Sequence, residues 1–185
     1  MKFKTTALKI PEVILIKPTV FGDDRGYFFE SYQQQNFDEF LPGVRFVQDN
    51  ESLSKKGVLR GLHFQQSPYA QAKLLRVIRG SVWDVAVDIR PASPTFKQYV
   101  YTELSAENHH QLFIPKGFAH GFIVTSPEAI VQYKTDAYYH PDSDGGIHAY
   151  DPELDIPWPL KKEDQLLSDK DRALPLLSDI RDTLT

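Results

Sequence analysis

The run Ser81–Arg90, SVWDVAVDIR, alternates between two faces. Trp83, Val85, Val87 and Ile89 fall on one side, and Val82, Asp84, Ala86 and Asp88 on the other, the period-two pattern of a strand. It follows Lys73–Arg79, KLLRVIR, at once after Gly80. Further short extended runs come at Val13–Ile16, Tyr27–Tyr32, Val44–Ser52, Phe96–Leu104, Gln111–Ile114, Ala119–Thr125 and Ile130–Ala137. Pro, Gly, Asn, Asp and Ser separate them. Many short strands at close spacing predict an all-β chain, an antiparallel sandwich or barrel.

Helix is confined to short pieces in this reading. Ser31 and Gln34 fit a capping box opening a helix over Tyr32–Leu41, which Pro42-Gly43 stops. Beyond Tyr139 a turn-rich segment leads into a helical tail. With 185 residues, no internal repeat and no linker, residues 1–185 are expected to form one domain. A net charge of −4 argues against a nucleic-acid partner, which selects a basic surface. Cysteine is absent, so thiolate metal sites are excluded. The apolar run Val13–Ile16 is too short for a signal peptide or a membrane span, so a cytoplasmic protein without membrane attachment is expected.

Two segments carry the chemistry. GVLRGLHFQ (Gly57–Gln65) and PKGFAHGF (Pro115–Phe122) each set a histidine, His63 or His120, near a strand end beside glycine. Glycine inside a strand marks a bulge or a close approach to the backbone. Regular alternation would put Arg60 and His63 on opposite faces, and a bulge at Gly61 would bring them together. Pro115, Gly117 and His120 have the P-x-G-x-x-H spacing that resembles the second cupin motif. Metal-binding cupins carry H-x-H and a following glutamate in the first motif. Here His63 precedes Phe64-Gln65, and no glutamate follows at that distance. An open metal site needs about three protein ligands, and one or two are on offer, so no metal is expected. Acid–base work or sugar binding then suits the residues. His63 is the natural base, Lys73 a partner for enolate charge and Tyr133 a candidate acid. Asp84 could orient a neighbouring histidine, or could be a surface acid. Ser168 and Asp171 by themselves read as an acidic capping box.

The ordered blocks FGDDRGYFFESY, QDNESLS, GVLRGLHFQ, QAKLLRVIRGSVWDVAVDIR, FIPKGFAHGF, QYKTDAYYHPDSDGGI and LLSDKD run almost end to end. Together they resemble the dTDP-4-dehydrorhamnose 3,5-epimerase family. The resemblance implies a cupin-like jelly-roll β-barrel with a few short helices. It also implies a homodimer, no cofactor and a dTDP-sugar substrate. Residue by residue it implies that His63 is the base, that Asp171 supports it, and that Tyr133 is the acid. Lys73 and His120 match pocket residues. Arg25, Glu30, Gln48, Asp49, Asn50, Arg60 and Lys170 match positions that hold the nucleotide-sugar, with Phe21 and Tyr139 as stackers for the thymine ring. Where the family usually has glutamate, this chain has Asp144, a carboxylate one methylene shorter.

The activity so implied is epimerisation of dTDP-4-dehydro-6-deoxy-D-glucose at carbons 3 and 5. Two alternatives stand beside it. One is a single-site epimerase of a related deoxysugar pathway. The other is a cupin that binds a nucleotide-sugar without turning it over. An iron-dependent cupin dioxygenase is a distant third.

Overall fold

A computed structural model describes residues 2–184. Its strands are β1 (Phe3–Ala7), β2 (Ile14–Pro18), β3 (Phe21–Asp23), β4 (Gly26–Phe28), β5 (Gln48–Lys55), β6 (Leu59–Gln65) and β7 (Lys73–Arg79). They continue with β8 (Ser81–Asp88), β9 (Tyr99–Ser105), β10 (Gln111–Ile114), β11 (Phe118–Val124), β12 (Glu128–Thr135) and β13 (Asp144–Gly146). One sheet has the order β1-β2-β10-β7-β12-β5 and a second the order β13-β6-β11-β8-β9. Every ladder between these strands is antiparallel. The all-β expectation holds, in the form of a two-sheet sandwich of the jelly-roll type.

The sheets meet through one shared core. Leu75, Val77, Leu112, Ile114, Ala129 and Val131 come from the first sheet, and Val82, Ala86, Val100, Leu104, Phe118 and Phe122 from the second. On β8 it is therefore the face carrying Val82, Asp84 and Ala86 that looks into the sandwich. The more apolar face is covered instead by the chain beyond β13, where Val85, Val87 and Ile89 pack with Ile147, Leu154, Ile156 and Leu177. Both faces of β8 are thus buried, and Asp84 and Asp88 are each 0% exposed. Asp88 is satisfied by Arg90, Ser93 and Thr95, so it serves the corner after β8. Asp84 faces the interior.

The C-terminal part returns across the second sheet. Leu166 accepts from the Leu59 backbone at 2.9 Å and donates to Gly57 at 2.8 Å, fastening the tail to the start of β6. The helix expected over Tyr32–Leu41 contracts to α1 (Gln34–Asp38), whose N-cap Gln33 makes no side-chain cap bond. The Ser31 capping box does not form, and the Ser31 carbonyl accepts from Gln111 instead. The aromatic strand expected over Tyr27–Tyr32 survives only as Gly26–Phe28, in the small hairpin β3–β4. Tyr32 turns inward, where its ring packs on Phe37 and Phe46. The tail carries only single helical turns, among them α2 (Asp169–Arg172) and α3 (Leu177–Ile180).

Candidate active site

Strands β6 and β11 run antiparallel with His63 opposite His120 and Arg60 opposite Phe122. Between these pairs, Gly61 and Leu62 oppose the single residue Gly121, which is a bulge. Gly61 sits at φ +116°, and a Cβ there would lie 2.6 Å from the Gly121 Cα and 2.7 Å from the His120 carbonyl oxygen. Only glycine lets the two strands come this close. The extra residue re-aims β6, so that Arg60 and His63 border the same cleft, as expected from the bulge.

That cleft encloses about 340 Å³. His63, Lys73, His120, Tyr133, Tyr139, Asp144, Lys170 and Asp171 all border it. His63 Nε2 lies 2.7 Å from Asp171 Oδ1. Asp171 is the third residue after the N-cap Ser168, whose hydroxyl accepts from the Asp171 backbone at 3.1 Å and donates to Oδ2 at 2.8 Å. Asp171 therefore links the cap to the histidine, one oxygen on Ser168 and the other on His63. Ser168 caps the turn as read, but the reciprocal half of a capping box does not form, because Asp171 bonds the Ser168 hydroxyl and not its backbone N–H. On the facing strand, His120 Nε2 contacts both oxygens of Asp84, at 2.9 and 3.1 Å, which makes Asp84 the orienting carboxylate rather than a surface acid.

The electrostatics suit proton transfer. Burial pushes the His63 pKa below its ordinary value, and the Asp171 charge offsets part of that fall, so the ring is mainly neutral near pH 7. Burial also lowers Lys73 to about 8, against the pull of Asp84 and Asp144, which leaves an ammonium at neutral pH. Lys73 Nζ donates to the His63 carbonyl at 3.4 Å, so the ammonium and the histidine are neighbours. Tyr133, opposite Asn50 on β5 and Leu75 on β7, has its phenol pKa raised by burial and stays protonated. Asp144 on β13 binds Lys170 and accepts from the Tyr139 hydroxyl at 3.3 Å.

Other expected site residues fall elsewhere. On β5, Gln48 bonds to Asn50 and to the Tyr139 backbone, at the cleft mouth. Asp49 between them points to the opposite face and pairs with Lys134 at 2.6 Å. Strand alternation forbids all three from facing one site. Phe21 and Arg25 stand on the β3–β4 hairpin, outside this chain's own cleft, with the Phe21 residue 62% and the Arg25 side chain 89% exposed. Glu30 binds Lys2 and Asn36 instead of a cleft group. Ser52, Phe64, Gln65, Gln71, Phe122 and Ser168 also border the cleft. Of these, Gln65 and Phe122 share a strand face with a singled-out histidine two residues away, a period-two signal present in the sequence.

A two-sheet antiparallel sandwich holding a neutral histidine, a carboxylate, an ammonium and a phenol around one cleft defines a cupin-like acid–base protein. The dTDP-4-dehydrorhamnose 3,5-epimerase profile matches residues 7–179, and the chain belongs to that family. It is 56% identical over 169 residues to the dTDP-4-dehydrorhamnose 3,5-epimerase of Salmonella typhimurium, covering 91% of this chain and 92% of the relative. The crystal structure of the dTDP-6-deoxy-D-glucose-3,5-epimerase of Legionella pneumophila, in complex with dTDP-4-keto-L-rhamnose, superposes with a TM-score of 0.91. That pair shares 51% identity over 95% of this chain and 93% of the other. A 3'-monoepimerase from Streptomyces bikiniensis, in complex with dTDP-quinovose, superposes at 0.89 with 30% identity, over 95% of this chain and 89% of that one.

Proposed function

We propose that the chain catalyses the double epimerisation of dTDP-4-dehydro-6-deoxy-D-glucose to dTDP-4-dehydro-L-rhamnose. The carrying observation is the 2.7 Å contact of His63 with Asp171 in a cleft shared with Lys73 and Tyr133. The 4-keto group acidifies the hydrogens on carbons 3 and 5. Neutral His63 takes one proton at a time, the Asp171 charge stabilising the imidazolium that forms. The Lys73 ammonium holds the negative charge that develops on the keto oxygen. Tyr133 returns a proton to the opposite face of each carbon. Between the two carbons the imidazolium releases its proton to solvent and the Tyr133 phenolate regains one, so protons balance and the sugar is neither oxidised nor reduced.

The nucleotide half is assigned to Arg60, Lys170, Gln48, Asn50 and Tyr139, with guanidinium and ammonium groups meeting the diphosphate. Phe21 and Arg25 complete it only from a second copy, because their hairpin stands clear of its own cleft. A homodimer exchanging hairpins is the assembly we infer, and sedimentation of the active chain as a monomer would remove it. One domain, residues 1–185, suffices for the chemistry. Among the described residues no helix is long and apolar enough to cross a membrane. A doubly charged nucleotide-sugar does not cross a bilayer, so we place the reaction in the cytoplasm where such sugars are made, which cell fractionation tests.

Proton NMR of the substrate in D₂O decides between the alternatives. Deuterium at carbons 3 and 5, with the L-sugar trapped by a reductase, is expected. Exchange at one carbon alone would make the chain a single-site enzyme, as in the Streptomyces relative. Binding without exchange would leave only a nucleotide-sugar-binding protein.

A further inference from the structure

Gln65 lies two residues beyond His63 on β6, so both side chains leave the same strand face and both border the cleft. It is 7% exposed, and its amide is committed to backbone outside its own strand. Nε2 donates to the carbonyls of Tyr69 at 2.7 Å and Tyr138 at 3.3 Å, and Oε1 accepts from the His140 N–H at 2.7 Å. One side chain thereby ties the loop between β6 and β7 to the segment that follows β12.

Other contacts close the same seam. Gln71 donates to the Ala137 carbonyl at 2.8 Å, the Ala72 N–H donates to Asp136 at 2.7 Å, and the Tyr69 and His140 rings stack at 3.8 Å. The tied loops present Gln71 and Tyr139 to the cleft. Tyr139 is held by Gln48 and Asp144, but the residues on either side of it, Tyr138 and His140, are those that Gln65 grips. A carboxamide supplies two donors and an acceptor in one plane, and this seam uses all three.

We propose that Gln65 is a positioning residue that fixes Tyr139 at the cleft mouth and thereby sets affinity for the nucleotide half of the substrate. It does so without touching the groups that move protons. The inference rests on the dTDP-sugar reading of the cleft. Where a metal-binding H-x-H would place its second imidazole, this chain places a loop clamp.

The test is calorimetric titration with dTDP and steady-state kinetics on wild type, Gln65→Ala, Gln65→Glu, Tyr139→Ala and the Gln65→Ala/Tyr139→Ala double variant. In Gln65→Ala, Kd for dTDP and KM should both rise about tenfold, while kcat stays within about twofold of wild type. Gln65→Glu keeps volume and acceptor but donates nothing, and should move Kd and KM in the same direction. In the Tyr139→Ala background, Gln65→Ala should add less than about twofold, because the two act through one contact. Should Gln65→Ala not fold, Gln65→Glu alone decides by the same criteria. Wild-type Kd and KM in a folded Gln65 variant would overturn the proposal. So would a kcat loss with KM unchanged, or a full tenfold effect repeated without Tyr139. A wild-type chain that binds no dTDP would instead sink the dTDP-sugar reading itself.

Discussion

Two histidines on paired strands border the cleft, each bonded to an aspartate, His63 to Asp171 and His120 to Asp84, with Nε2-to-carboxylate distances of 2.7 and 2.9 Å. They differ in what surrounds them. The His63 side chain is 28% exposed to the cleft, and its partner comes from a single helical turn in the tail. The His120 side chain is 9% exposed, and Asp84 is sealed within β8 with both oxygens on the ring. Asp171 divides its oxygens between His63 and Ser168. A hydrogen-bonded carboxylate alone therefore does not make a histidine a base. Greater exposure to the cleft, and a ring that burial keeps neutral near pH 7, single out His63 as the proposed proton acceptor. The sealed pair suits a donor that holds the substrate.

Substitution can break that contrast. His63→Asn should lower kcat about 10³-fold while dTDP affinity stays within about twofold by calorimetry; activity above a tenth of wild type would take His63 out of the chemistry. Asp171→Asn should lower kcat about 10²-fold and also move the pH profile. The acid limb of kcat/KM reports His63, and it lies below the ordinary histidine value. Removing the charge that raises this pKa shifts the limb to still lower pH, and a limb that rose or stayed put would contradict the pairing. On the alkaline side, activity should fall as pH passes about 8 and Lys73 loses its proton. The smallest catalytic effect belongs to Asp84→Asn, less than about tenfold on kcat. Its cost is structural, about 3 kcal/mol in urea unfolding, since one partner of a buried pair is lost. A kcat loss as large as that of Asp171→Asn would make the two pairs equivalent.

The all-β class was legible because many short extended runs, Ser81–Arg90 with clear period-two alternation among them, follow one another between turn residues. The runs named for β7 and β10 coincide with the observed strands. β1 escaped because only Phe3 of FKTTA is buried, so the strand carries no alternation. The helix over Tyr32–Leu41 was overstated because Tyr32 and Phe37 are drawn into an aromatic cluster that fixes the backbone more strongly than propensity does. The bulge at Gly61 was legible from a glycine between two chemical residues. Which face of β8 looks inward was not, since the tail that covers the Trp83 side lies far away in sequence. Gln65 went unnoticed for a similar reason, its partners being carbonyls and an N–H that no side-chain pattern reveals.

The fastening of the tail to β6 has a temporal consequence. Synthesis runs from the N-terminus, so every strand of the sandwich exists before Asp171 leaves the ribosome. A nascent chain can hold His63, Lys73 and Tyr133 on its strands and still lack Ser168, Lys170 and Asp171, which close the cleft. Competence arrives last, when the segment around Leu166 docks on Gly57 and Leu59 and joins residues remote in sequence, a slow class of contact. On the roles proposed above, clipped or unfinished molecules should be slow to deprotonate the keto-sugar.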